Sequence, residues 1–148
     1  MFRRRALRSV GGFDPTLGVG TPMHAAEDTD LIYRLLRRSH VLAYEPSCLV
    51  FHRPRTNVNR AQEAECRYGI GFGACFMRHI LKGDRYALKY VYWHVSSIAG
   101  SLVQAVCRGR WHEAGRHRCF LVGVFCGMFR RCFLLMMDNS FHLSGPHV

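Results

Sequence analysis

The sequence predicts an α/β layer over residues 1–56 joined to a mostly helical tail over residues 57–148. Three observations carry that expectation. Short elements alternate before residue 56 and are punctuated by Gly and Pro. Helical periodicity over 28–39 gives way to two extended segments, and beyond residue 56 the chain reads as helical to about residue 137.

The first element is a short basic segment, 3–10, opening on Arg3-Arg4-Arg5. No apolar run follows it before Gly11-Gly12, so a solvated surface is expected there and a signal peptide is not. A glycine-rich loop, 11–26, holds Gly11-Gly12-Phe13-Asp14-Pro15 and Leu17-Gly18-Val19-Gly20. The helix over 28–39 buries one face through Leu31, Leu35 and Ile32, Leu36 at i, i+4 spacing. Asp30 and Arg34 form an i, i+4 ion pair worth about 0.2–0.5 kcal/mol, and Arg37 and Arg38 sit where the helix dipole favours cations. The extended segments 41–45 and 48–52 are divided by Pro46, which lacks a backbone donor. Fifty-odd residues are too few to complete such a layer.

In the tail, Tyr90 to Cys107 is 18 residues without a formal charge. As a helix it spans roughly 27 Å, just short of a bilayer core. A basic connector, Arg108 to Arg118, leads to a second apolar run, Cys119 to Phe129, that stops at Arg130-Arg131. That run is too short to span and suits a helix lying among headgroups with its arginines on phosphates. The net charge of +11 and pI near 9.9 favour acidic surfaces. The expectation is a membrane-associated tail at the cytoplasmic face, with a soluble helical pair packed on another domain as the plain alternative. Gly69-Ile70-Gly71-Phe72-Gly73 lacks the last spacing of a dinucleotide loop and reads as a small-residue face for close helix packing.

Two chemistries are excluded. Seven cysteines, an odd number without a Cys-x-x-Cys pair, argue against a disulfide framework or zinc site. His112-Glu113 and His117 are five apart, not the i, i+4 that a helical two-histidine metal site needs.

The densest chemical feature is Glu27-Asp28-Thr29-Asp30, three carboxylates within four residues where loop becomes helix. Asp28 falls near free backbone N–H groups, which keep a carboxylate ionised and able to take a proton from a hydroxyl. The plain alternative is that Asp28 and Asp30 only cap the helix.

Context adds to this. Phe2 to Leu7, Val10-Gly11-Gly12-Phe13-Asp14, Leu17-Gly18, Glu27-Asp28-Thr29-Asp30-Leu31, Arg34-Leu35-Leu36 and Val50-Phe51-His52 closely resemble, in order and spacing, the second half of family 2 glycosyltransferases. Weaker similarity runs on through Arg67-Tyr68-Gly69 and Gly71 to Ala74, so the resemblance covers about residues 2–75. It implies the C-terminal portion of a GT-A fold and an inverting transferase that uses a nucleotide-sugar donor and a glycan or lipid-linked acceptor. Asp28 matches the general base of the family. Glu27, Asp30 and the turn Gly11, Gly12, Phe13, Asp14 match the acceptor side, and His52 matches a strand-end histidine that helps hold Mg²⁺ or Mn²⁺.

The sequence also departs from the family. The half that carries the nucleotide pocket and the Asp-x-Asp metal clamp has no counterpart here, since Asp28-Thr29-Asp30 belongs to the acceptor motif. The chain is therefore expected to be inactive alone, as a fragment or a degenerate remnant. The Gln-x-x-Arg-Trp of polymerising relatives is absent, Gln62 and Arg67-Tyr68 being misspaced, so transfer of a single sugar is expected. Ala26 stands where the family commonly has Gly. The competing reading is a non-catalytic basic membrane-surface protein derived from such an enzyme. Nucleic-acid binding lacks a zinc knuckle, aromatic strand or recognition-helix pattern and is not expected.

Overall fold

The computed structural model describes residues 2–51 and 58–143, the side chains of 58, 59 and 138–143 excepted. Five helices follow in order: α1 (Arg4–Ser9), α2 (Glu27–Arg37), α3 (Val58–Leu81), α4 (Arg85–Cys107) and α5 (Trp111–Leu143). Each end has a local cause. Helix α2 stops in a Schellman turn, with Ser39 left-handed at φ 60° and His40 N–H donating to the Leu35 carbonyl at 3.1 Å. The same turn recurs after α3, where Asp84 N–H reaches the His79 carbonyl, and after α4, where Arg110 N–H reaches that of Ala105. Asp84 then caps α4, accepting from the backbone N–H groups of Tyr86 (3.0 Å) and Ala87 (3.4 Å).

Helices α3 and α5 touch backbone to backbone. Gly69 and Gly73 face Phe120, Gly123 and Val124, while Gly123 and Gly127 face Cys66 and Ile70. Two Gly-x-x-x-Gly faces thus meet, which lets the axes approach closely, as the small-residue reading of 69–73 anticipates. One core results. Leu17, Met23 and Ala26 pack with Ile70, Phe72, Phe76, Val91 and Val124, so residues on both sides of position 56 share it.

The α/β layer expected from the sequence, with its GT-A architecture, is overturned: no strand occurs among the described residues. Residues 41–51 run irregularly past a turn at Pro46-Ser47, and Val41, Tyr44, Val50 and Phe51 stand almost fully exposed. A strand needs a neighbour to take its N–H and C=O groups and a layer to cover its apolar face. Neither lies against this segment among the described residues. His52, the expected metal ligand, lies outside them.

The tail also differs in detail. The second apolar run ends at Arg130-Arg131, and α5 continues through it. Arg131 turns inward at 5% exposure, donating through Nε to the Ala74 carbonyl (3.2 Å) and through Nη2 to Asp14 (3.3 Å). The stretch long and apolar enough to cross a membrane, by length and composition, is Trp111–Met137 rather than 90–107. A soluble core helix passes the same test, but only 22% of this stretch is buried. Phe125, Phe129, Phe133 and Met136 point outward.

Candidate functional site

The three aspartates of the motif region take different places. Asp30, fully buried, is held on one oxygen by Arg34 (2.6 Å) and on the other by His79 Nε2 (2.9 Å). Burial pushes its carboxyl up, but the hydrogen bonds from His79 and Arg34 outweigh that and hold it below the usual carboxylate range. Arg34 extends the chain of contacts, donating to the carbonyls of Val10 (2.5 Å) and Gly12 (2.7 Å). It thereby clamps the Gly11-Gly12 turn, where φ of 80° and 77° suits glycine and strains other residues.

Asp14 closes that turn from its other end. It accepts from the backbone (2.9 Å) and hydroxyl (2.7 Å) of Thr16, and pairs with Arg78 of α3 and Arg131 of α5. Burial raises its carboxyl, and Thr16 and the two guanidiniums bring it net below the ordinary value. Phe13, between these anchors, is half exposed.

Asp28 is the exposed acid of the three. It occupies the first turn of α2, where its Oδ1 accepts from the following N–H of Thr29 at 2.7 Å. No side chain caps α2; its N-cap is Ala26, held left-handed at φ 75°. That conformation favours glycine, which accounts for the residue common at this position in the family that the sequence resembles. Glu27 folds against Gly18, where an added Cβ would meet its Cδ at 3.2 Å.

Three contacts fix the loop ahead of Asp28. Gly71 of α3 abuts Ala25, Gly18 N–H donates to the Ala25 carbonyl (3.3 Å), and Arg130 of α5 reaches the Pro22 carbonyl (3.0 Å). Leu31 and Leu35 anchor α2 in the interior. A cavity of about 520 Å³ is lined by Glu27, Asp28 and Thr29 together with aromatic residues of α3, α4 and α5.

Sequence reasoning missed those aromatic residues, although Tyr68/Phe72 and Tyr90/His94 are i, i+4 pairs that a helical reading places on shared faces. It also missed His79 as a partner of Asp30, for which no local signal exists.

Among the described residues, Asp30, Cys75 and His79 form the group whose ligand atoms could converge on a metal. Its chemistry does not fit Mg²⁺ or Mn²⁺, which take oxygen ligands. Both Asp30 oxygens are engaged by Arg34 and His79, and burial together with Asp30 drives the Cys75 thiol strongly towards its protonated form.

Asp28 lines this cavity with Glu27 and Thr29, whereas Gly11, Gly12, Phe13 and Asp14 do not line it. The chain is 35% identical over 117 residues to the pre-mycofactocin glycosyltransferases of two Mycobacterium tuberculosis strains, CDC 1551 / Oshkosh and ATCC 25618 / H37Rv. The chain is glycosyltransferase-like in origin. The match covers 73% of this chain and 24% of each relative, so the chain spans about a quarter of their length. No protein-family model matches the chain. No solved structure matches it either.

Proposed function

We propose that this chain supplies the acceptor side of a family 2-like glycosyltransferase, with Asp28 as the general base. The acceptor oxygen attacks the anomeric carbon of a nucleotide-sugar from the face opposite the leaving group. Its new bond to that carbon forms as the bond to the diphosphate breaks and the acceptor proton passes to Asp28, inverting the centre. The observation that supports this most is the division among the acids. Asp14 and Asp30 are consumed by buried ion pairs, whereas Asp28 opens on a ligand-sized cavity.

Glu27 and the Gly11-Gly12-Phe13-Asp14 turn would frame the acceptor, with Asp14 and Asp30 holding that frame. The acceptor reading is a glycan or a lipid-linked glycan. A divalent cation, Mg²⁺ or Mn²⁺, is part of the proposal as the diphosphate's partner; the described residues offer it no fitting ligand set, and no step above runs through it. The chain alone is proposed to be inactive and to need a donor-binding half.

The test is turnover of an active enzyme that contains this chain. Asp28→Asn should lower kcat by about 10²–10⁴, the usual contribution of a positioned base, without lowering the melting temperature. Retention of activity within a few-fold would remove Asp28 from the role.

The outward apolar face of α5 supports attachment to a membrane, with its cytoplasmic leaflet favoured because basic segments are drawn to anionic lipid. Between residues 85 and 137 the only carboxylate is Glu113, against eight Lys and Arg residues. The chain should sediment with vesicles containing phosphatidylserine, less so as salt rises and little with neutral vesicles. Binding indifferent to both lipid charge and salt would sink the electrostatic part of this reading.

A further inference from the structure

The aromatic residues that line this cavity with Asp28 all come from the helical tail. Tyr68 and Phe72 come from α3, Tyr90 and His94 from α4, and Phe120 from α5. Four of these rings, Phe72, Tyr90, His94 and Phe120, pack into one cluster. Phe72 stacks on His94 with centroids 4.7 Å apart and planes at 28°, and Tyr90 stacks on His94 at 5.9 Å and 15°. Phe120 closes the group, 5.8 Å from Phe72 and 5.7 Å from His94. Phe72 is the buried floor, while Tyr68 and Tyr90 remain 48% and 41% exposed. Burial lowers the affinity of His94 for a proton, so at neutral pH its ring is an uncharged, flat member of the wall.

The cavity thus combines the carboxylates of Glu27 and Asp28 and the hydroxyl of Thr29 with a lining of clustered aromatic side chains. We propose that this aromatic wall is the acceptor subsite, and that it selects a ring with one flat apolar face carrying the hydroxyl presented to Asp28. The proposal rests on the reading of Asp28 as the base. A rigid ring loses little conformational freedom on packing against aromatic side chains, whereas a flexible chain has to be ordered first. The shared ligand chemistry is a six-membered ring with an apolar face, met either in the C–H face of a pyranose or in an aryl alcohol.

Binding to the 148-residue chain itself tests this, independently of turnover. The probes are methyl β-D-glucopyranoside and benzyl alcohol, titrated separately and followed by saturation-transfer NMR. At least one should bind, and the one that does identifies the ring as sugar or aryl. Tyr90→Leu and Tyr68→Leu should each weaken that binding by roughly three- to tenfold, the range of one lost ring contact. Tyr90→Phe should bind like the parent, and circular dichroism melts establish that the variants are folded. Failure of both probes to bind the folded chain overturns the proposal, as does binding insensitive to both Tyr→Leu changes. The base assignment is read separately, from loss of turnover in Asp28→Asn, so either conclusion can fail alone.

Discussion

Gly127→Ala and Gly100→Ala are the same chemical change in two interior helix positions, and the structure assigns them opposite signs. In an open helix, replacing Gly by Ala stabilises by about 1 kcal/mol, through backbone entropy. Gly100 of α4 has nothing within 4 Å of where a Cβ would stand, so the full gain should appear. At Gly127 of α5 the added Cβ would lie 2.8 Å from the Ile70 carbonyl carbon and closer still to its oxygen. Ordinary Cβ contacts fall at 3.4–4 Å, and the obstacle is backbone, which cannot rotate away. The α3–α5 interface has to open, and Gly69, Gly73 and Gly123 lose close contacts along with it. Overpacking of that kind costs about 1–3 kcal/mol, and with the whole interface involved the upper end should apply. The net expectation is a loss of roughly 2 kcal/mol for Gly127→Ala against a gain of about 1 kcal/mol for Gly100→Ala. For a chain of this size each kcal/mol moves Tm by about 2–4 °C. Circular dichroism melts should therefore show Gly127→Ala some 4–8 °C below the parent and Gly100→Ala some 2–4 °C above it. Equal shifts in the two variants would refute the backbone contact between α3 and α5.

Two further outcomes follow from the buried charges. Asp14, Asp30 and Asp84 are all held below the ordinary value of 3.8, because hydrogen bonds and guanidiniums outweigh the opposing effect of burial. The unfolded chain then takes up protons first on acidification, so their contribution is complete above about pH 4 and is lost as pH falls through the folded values. Melts should fall in two stages on acidification. The first, below about pH 6.5, comes as the unfolded chain protonates His94, whose folded ring resists the proton through burial. The second, below about pH 4, comes as the aspartates protonate and should be less steep in Asp30→Asn; an identical second stage in that variant would contradict the assignment. Asp84→Ala removes the α4 cap together with the bonds from Tyr33 (2.8 Å) and Arg37 (3.1 Å), and should cost about 1–3 kcal/mol in urea unfolding. Asp84→Asn should recover part of that loss, and a null effect of Asp84→Ala would mean that the cap is not formed.

What was legible in the sequence was local. The helix at Asp28, the Asp30–Arg34 pair and the glycine face of α3 all follow from spacings of two to four residues, and all three are found. The division between Asp28 and Asp30 does not follow from such spacings. Leu31 and Leu35 stand at i+3 and i+7 from Asp28, so helix geometry puts Asp28 on their stripe and Asp30 off it. Asp30 is buried because Arg34 and His79 hold it there. What was not legible depended on distant residues. The apolar pattern of 41–52 reads as strand, but pairing needs a neighbour that the pattern does not contain. Arg131 in an apolar run reads as a stop, and only Asp14, more than a hundred residues earlier, lets it enter the interior. His79 likewise reaches Asp30 from another helix.

These distant pairs also bear on why the turn is built from charges at all. Buried ion pairs contribute little net stability compared with apolar packing of the same volume, so stability is a weak reason for placing Asp14, Asp30, Arg34, Arg78 and Arg131 together. They do provide direction. Arg34 grips two carbonyls of the glycine turn from the α2 side, and Asp14 ties the same turn to α3 and α5. The turn is fixed at both ends relative to the helix that carries Asp28, and the aromatic wall rides on the helices to which Asp14 is tied. A base must be held within a fraction of an ångström of its productive position by groups whose own geometry is locked. An apolar core of equal size fills space without fixing a loop backbone in this way. On the proposed reading of Asp28 as the base, the two buried aspartates serve the exposed one, and neutralising Asp14 or Asp30 should loosen the turn before it unfolds the chain.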